Sequence, residues 1–222
     1  MSLPPVLLVH GFASTFERNW RQNGWVDLLT DEGREVIGTD LPGHGSAEAP
    51  TDPAAYADLA GHVEGWLPAD GEVDAVGFSL GARTVLELAS RRPDRFRRIV
   101  VGGAGANVFA DGAAPALADA IEAGEDVTGV MGAFVRFAHS PGQSPAALAA
   151  LMRRPAPPLT AELLGKVTCP VLVVLGDKDF AGPPEPLVDA LPNATLKSLR
   201  NVDHLGTVTD FTFLDATLKF LA

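Results

Sequence analysis

Three short stretches bring together residue types that can carry out acyl chemistry. Ser79 stands in Gly-Phe-Ser-Leu-Gly, with Gly77 and Gly81 each two residues away. Asp177 and Asp179 lie in Gly-Asp-Lys-Asp, and His204 lies in Asp-His-Leu-Gly. A serine hydroxyl is a weak nucleophile until a base takes its proton, and an imidazole acts as that base when a carboxylate holds it in one tautomer. The glycines point the same way. The alternating run VDAVGF gives way at the serine to the helical run LGARTVLELASRR. The spacing implies a bend so sharp that side chains at 77 or 81 would collide with their neighbours, and chains accept such strain mostly to hold one side chain out. The plainer alternative is a serine that only caps the following helix.

The elements that must position these residues follow from hydrophobic pattern. Short apolar runs recur at 5–10, 34–40, 73–78, 96–103 and 170–177, and more weakly at 194–199. Bounded by Gly and Pro, they read as strands buried on both faces. Segments 54–67, 80–92 and 209–221 carry helical spacing, so strand and helix alternate and a mainly parallel sheet of about six strands, covered on both faces, is expected. Ligands bind such sheets at the carboxyl ends of the strands, where Ser79, Asp177, Asp179 and His204 all fall. One region breaks the alternation. Residues 107–166 hold several Ala- and Pro-rich helical pieces and no convincing strand, and they enter from a strand's carboxyl end, which predicts a helical lid inserted into a core of residues 1–106 and 167–222.

The chain resembles the α/β-hydrolases. HGF (10–12), DLPGHG (40–45), GFSLGA (77–82), GDKD (176–179) and DHLG (203–206) match that family's motifs in family order, over roughly residues 5–105 and 165–222. On this resemblance the family's first two strands are expected to lack a counterpart, since the chain starts almost at the third. The resemblance implies a serine hydrolase, with Ser79 as nucleophile, His204 as base and Asp179, rather than Asp177, as the orienting acid. It also implies that the backbone N–H groups of Phe12 and Leu80 form the oxyanion hole. The implied activity is cleavage of a carboxylic ester, lactone or thioester through an acyl-enzyme, without a cofactor. His10, Asp40 and His44 read as structural groups of the motif loops.

Arg83 stands four residues after Ser79, one turn into the helix, and a guanidinium there could grip a substrate carboxylate by two parallel hydrogen bonds. The elbow SLGAR also resembles that of the menaquinone-pathway succinyl-hydroxycyclohexadiene-carboxylate synthases. The alternative function is therefore a lyase or a C–C bond hydrolase acting on a carboxylate-bearing substrate. A salt bridge from Arg83 to Glu87 is the competing role. Arg136, Arg153 and Arg154 of the lid are further candidates for an anion site, and Val108, Phe109, Met131, Phe134, Phe137 and Met152 for an apolar lining.

Bulk properties exclude other classes. Seventeen Lys and Arg against 28 Asp and Glu give a formal net charge of −11, which opposes binding to nucleic acid or to an anionic membrane surface. The lone Cys169 precludes an internal disulfide and suits a reducing compartment. The N-terminal apolar run is too short for a signal sequence, and no cluster has metal-ligand spacing. A cytoplasmic protein acting on a small molecule as a monomer or homodimer is expected, with no metal.

Overall fold

Six apolar runs become six strands, all parallel: β1 (Val6–Val9), β2 (Val36–Ile37), β3 (Val73–Phe78), β4 (Phe96–Gly102), β5 (Val171–Gly176) and β6 (Ala194–Leu199). The computed structural model describes residues 3–124 and 126–222. Strand order is β2-β1-β3-β4-β5-β6, so the chain winds outward in both directions from its early strands. The expected α/β architecture is the one observed.

The strands alternate between two cores because side chains alternate across a sheet. Leu7, Val9, Ala75, Ile99, Val101, Val171 and Val173 face one core; Val6, Leu8, Val76, Val100, Leu172 and Val174 face the other. The first is covered by α2 (Leu59–Glu64), α3 (Leu80–Arg91) and the inserted helices. The second is covered by α1 (Trp25–Asp31) and α9 (Phe211–Leu221). There Trp25 packs edge-on against Trp20 and Phe213, with centroids 5.1 and 4.8 Å away. Removing the fully buried Phe213 ring would cost about 3–5 kcal/mol.

Two boundaries differ from the sequence-based expectation for a local reason. The segment expected as one helix over 54–67 is a 3-10 turn, Pro53–Tyr56, followed by the short α2. Asp58 lies between them and its carboxylate accepts the Gly61 N–H at 2.9 Å, which starts a new helix instead of continuing the old one. Asp210 does the same for α9, accepting from Thr212 and Phe213. The 34–40 run yields only a two-residue strand.

Between β4 and β5 the chain forms a 3-10 turn, Ala106–Phe109, and then α4 (Pro115–Ala123), α5 (Gly129–Ala138), α6 (Pro145–Met152) and α7 (Ala161–Leu164). The last connection carries α8 (Glu185–Ala190). At the amino end of the sheet, the fully buried Asp74 carboxylate is paired with Arg34 and with Arg97, the latter at 2.6 and 2.9 Å. Among the described residues no helix is long and apolar enough to cross a membrane.

Candidate active site

β3 delivers its last residue, Phe78, directly into the turn that holds Ser79. Ser79 has φ 53° and ψ −112°, a positive-φ conformation that non-glycine residues rarely adopt. The turn is so close that a Cβ at Gly77 would lie 2.6 Å from the Gly81 carbonyl oxygen, and one at Gly81 would lie 2.6 Å from the His10 carbonyl and nearer still to that of Val9. The two glycines are therefore required by contact with backbone, which cannot move aside as a side chain can. Ser79 occupies the N-cap position of α3, yet its side chain caps nothing. Its Oγ lies 2.8 Å from His204 Nε2 instead.

His204 reaches that position from the loop after β6. Its Nδ1 lies 2.9 and 3.0 Å from the two carboxylate oxygens of Asp179, which stands in the turn after β5. Asp179 Oδ1 also accepts the Ala181 N–H at 2.8 Å, fixing the carboxylate's orientation. Asp177 points elsewhere and accepts the N–H of Asn201, a residue at φ 60°. The imidazole is buried between aromatic rings, with Phe180 and Phe78 at 4.4 and 5.1 Å between centroids. Phe180 gives no warning in the sequence, since half-exposed aromatics in loops carry no periodic signal.

The loop after β1 is pinned by three buried side chains. Asn19 Oδ1 accepts the Gly11 N–H at 2.8 Å, His44 Nε2 accepts that of Ala13 at 3.0 Å, and His10 Nε2 accepts that of Leu41 at 2.8 Å. Both histidines donate from Nδ1 to a carbonyl, His10 to Gly11 and His44 to Pro42. Each is thus neutral by construction, and burial pushes His10 down to about 4 and His44 to about 3. Between the bonded Gly11 and Ala13, the Phe12 N–H has no acceptor among the described residues. The Leu80 N–H, first in α3, precedes the helix's own ladder and sits at its positive end. Asp40 serves its loop, accepting from Phe16 and Ser46 at 2.8 and 2.9 Å. Asn19 is invisible in the sequence because a lone asparagine in a single helical turn, here Glu17–Arg21, has no distinguishing pattern.

Two cavities meet at Ser79. One, of about 250 Å³, is largely apolar, with Phe12, Phe78, Phe134, Phe137 and Val208 on its walls. The other, of about 310 Å³, is bounded by Leu80, Val108, Met152, Phe180, Arg83 and Arg154. Met131 is 41% exposed instead, and Phe109 packs on the core.

Arg83 departs from both expectations made for it. Its Nη1 donates to the Val108 carbonyl at 2.9 Å, and its Nη2 donates to the carbonyls of Ala156, at 3.3 Å, and Pro157. The residue borders the cavity, but two of its nitrogens already hold the inserted segment, so the two-bond grip on a substrate carboxylate is occupied. It forms no salt bridge with Glu87, which pairs with Arg91. Arg153 pairs with Asp119 and Glu122 on the surface. Cys169 is partly buried, and burial raises its thiol to about 11. Among the described residues no group of three or more His, Cys, Asp or Glu is arranged to hold a metal.

Comparisons with known proteins agree with this architecture. Residues 4–143 match the family model described as the alpha/beta hydrolase fold. The pimeloyl-[acyl-carrier protein] methyl ester esterase of Neisseria meningitidis is 32% identical over 177 residues, covering 67% of this chain and 66% of its own length, just under two thirds. A thermostable monoacylglycerol lipase from a Bacillus species is 27% identical over 98% of this chain and 90% of the lipase. Among solved structures, a hydrolase from Oleispira antarctica superposes with a TM-score of 0.73 at 18% identity, covering 98% of this chain and 90% of that one. With 140 of its residues under the family model and the six-stranded parallel sheet to match, the chain belongs to the alpha/beta hydrolase fold family.

Proposed function

We propose that the protein is a serine hydrolase that cleaves a small carboxylic ester, lactone or thioester through an acyl-enzyme on Ser79. The observation that carries this reading is the unbroken relay Ser79 Oγ, His204 Nε2, His204 Nδ1, Asp179, with every link between 2.8 and 3.0 Å. His204 takes the Ser79 proton as Oγ attacks the carbonyl carbon, and Asp179 stabilises the imidazolium and holds its tautomer. The Phe12 and Leu80 N–H groups receive the oxyanion, aided by the positive end of α3. His204 then protonates the leaving oxygen or sulfur and activates a water to release the acid. The relatives named as ester-cleaving enzymes support the same chemistry.

The segment 107–166 acts in this reading as a lid, since Phe134 and Phe137 of α5 wall the apolar cavity and Val108 and Met152 the other. It is tethered to the core by Arg18 donating to Ser140 Oγ at 2.7 Å and Gln143 donating to the Ser14 carbonyl at 3.0 Å. The lyase alternative relied on a free guanidinium at Arg83, and the engaged one favours ester cleavage. The test is turnover of a p-nitrophenyl ester series by the wild type and by Ser79→Ala. Loss of several orders of magnitude in a folded Ser79→Ala protein is expected; retained turnover would overturn the assignment.

A further inference from the structure

Arg153 and Arg154 follow α6 as neighbours and meet opposite fates. Arg153 turns outward to two carboxylates. Arg154 turns inward and is only 4% exposed, with no carboxylate within 4.0 Å among the described residues. Its one hydrogen bond runs from Nη1 to the Leu151 carbonyl at 2.9 Å, at the end of its own helix. Nε and Nη2 make none among the described residues, and these two nitrogens form the side-on fork that matches a carboxylate or phosphate. The surroundings raise the cost of leaving that fork empty. Burial, and after it repulsion from the nearby Arg83, draws Arg154 down to about 10, still a cation at neutral pH. Glu87 and Asp111 offset part of that cost from a distance, but neither comes within 4.0 Å of Arg154: Glu87 pairs with Arg91, and Asp111, which borders the same cavity, accepts the Ala113 N–H at 2.9 Å. A buried cation without a partner is expensive, and proteins keep one where something else pairs with it. Arg154 borders the same cavity of about 310 Å³ that Ser79 and Leu80 border.

We infer that this cavity is an oxyanion-binding subsite, in which the Arg154 fork receives a carboxylate or phosphate carried at the far end of the substrate from the bond that Ser79 attacks. The inference rests on the ester-cleaving reading above and gives it a substrate class. The neutral end of the substrate then occupies the apolar cavity on the other side of Ser79. The remaining Nε of Arg83 adds positive charge to the subsite while its Nη atoms hold the lid. A local pair of guanidinium groups overrides the net charge of −11 at this short range.

The test compares monomethyl adipate with its neutral carboxamide and with the ω-phosphonate analogue. kcat/KM is measured for the wild type, Arg154→Gln and Arg154→Lys, and binding of the same three ligands is measured by calorimetry on Ser79→Ala, where turnover is not needed. The wild type is expected to prefer an anionic ligand over the carboxamide by ~10- to 100-fold. The Gln variant should lose that preference while keeping its rate on the carboxamide, and Lys should retain part of it. Whichever of the carboxylate and phosphonate is preferred identifies the anion. Equal losses on charged and neutral ligands in Arg154→Gln would mean a helix cap alone and overturn the inference, as would a wild type indifferent to charge. Ester turnover without charge preference sinks only the subsite. Anion-selective binding to Ser79→Ala without ester turnover in the wild type sinks only the reaction. If the Gln variant does not fold, the Lys variant decides, with an unchanged preference counting against the fork.

Discussion

Asp179→Asn separates the electrostatic role of the acid from its packing, because the two side chains are nearly isosteric. In the native arrangement both carboxylate oxygens accept, at 2.9 and 3.0 Å from His204 Nδ1, and Oδ1 also takes the Ala181 N–H. The backbone donor dictates how an asparagine would sit: its carbonyl oxygen stays on Ala181, and its NH₂ replaces Oδ2, 3.0 Å from Nδ1. That amide donates where the carboxylate accepted. Nδ1 must then present a lone pair, the ring proton moves to Nε2, and Nε2 can no longer accept the Ser79 proton. The expected loss in kcat is about ten-thousand-fold, or about 5 kcal/mol of transition-state stabilisation at ~1.4 kcal/mol per factor of ten. Steady-state turnover of a p-nitrophenyl ester, with circular dichroism to confirm folding, measures it. Asp177→Asn is the control and should stay within a few-fold of wild type, because Asp177 serves the turn at Asn201. A folded Asp179→Asn variant within tenfold of wild type would refute the relay, as would a larger loss in Asp177→Asn.

Three further outcomes follow from other parts of the molecule. Asp74→Ala leaves Arg34 buried beside no carboxylate, which should cost about 3–5 kcal/mol and lower the Tm by roughly 6–20 °C, with activity per folded molecule unchanged at low temperature; a Tm within about 2 °C of wild type would contradict the burial argument. His10 and His44 are lowered in the fold to about 4 and about 3, so between their ordinary value of about 6.5 and those values the unfolded chain binds more protons. Stability should therefore be fully present above pH 6.5 and fall as the pH drops toward 4, with an initial slope of order 1 kcal/mol per pH unit for each histidine; urea midpoints at about pH 7 and 5 that coincide would count against neutral, buried rings. Gly81→Ala drives a Cβ into the Val9 and His10 carbonyls and should prevent folding or abolish turnover, whereas Gly71→Ala, with nothing within 4 Å, should cost only about 1 kcal/mol of backbone strain; equal tolerance of the two would refute the steric account of the elbow.

The inner strands β1, β3 and β5 were legible because they are buried on both faces and read as apolar runs between Gly and Pro, whereas β6, with Thr195 to Ser198 exposed, shows only weakly. The same logic makes β2 poorly legible, since only Val36 and Ile37 pair in an edge position. Ser79, Asp179 and His204 were legible because each sits at a strand's carboxyl end, where topology alone brings distant loops together. Arg83 was misread for a definite reason. Helical spacing gives its nearness to Ser79, but its partners, the carbonyls of Val108, Ala156 and Pro157, come from 25 to 74 residues away and offer no side-chain signal. Arg153 and Arg154 are indistinguishable as letters, and only the way α6 ends sends one to solvent and the other inward.

The most direct measurement is the mass of the Ser79 peptide from protein quenched in acid during turnover of a slow ester. An acyl group on Ser79 alone, absent from His204→Ala treated identically, is the result that the relay predicts. Sustained turnover with Ser79 unmodified, and equally fast in Ser79→Ala, would contradict it.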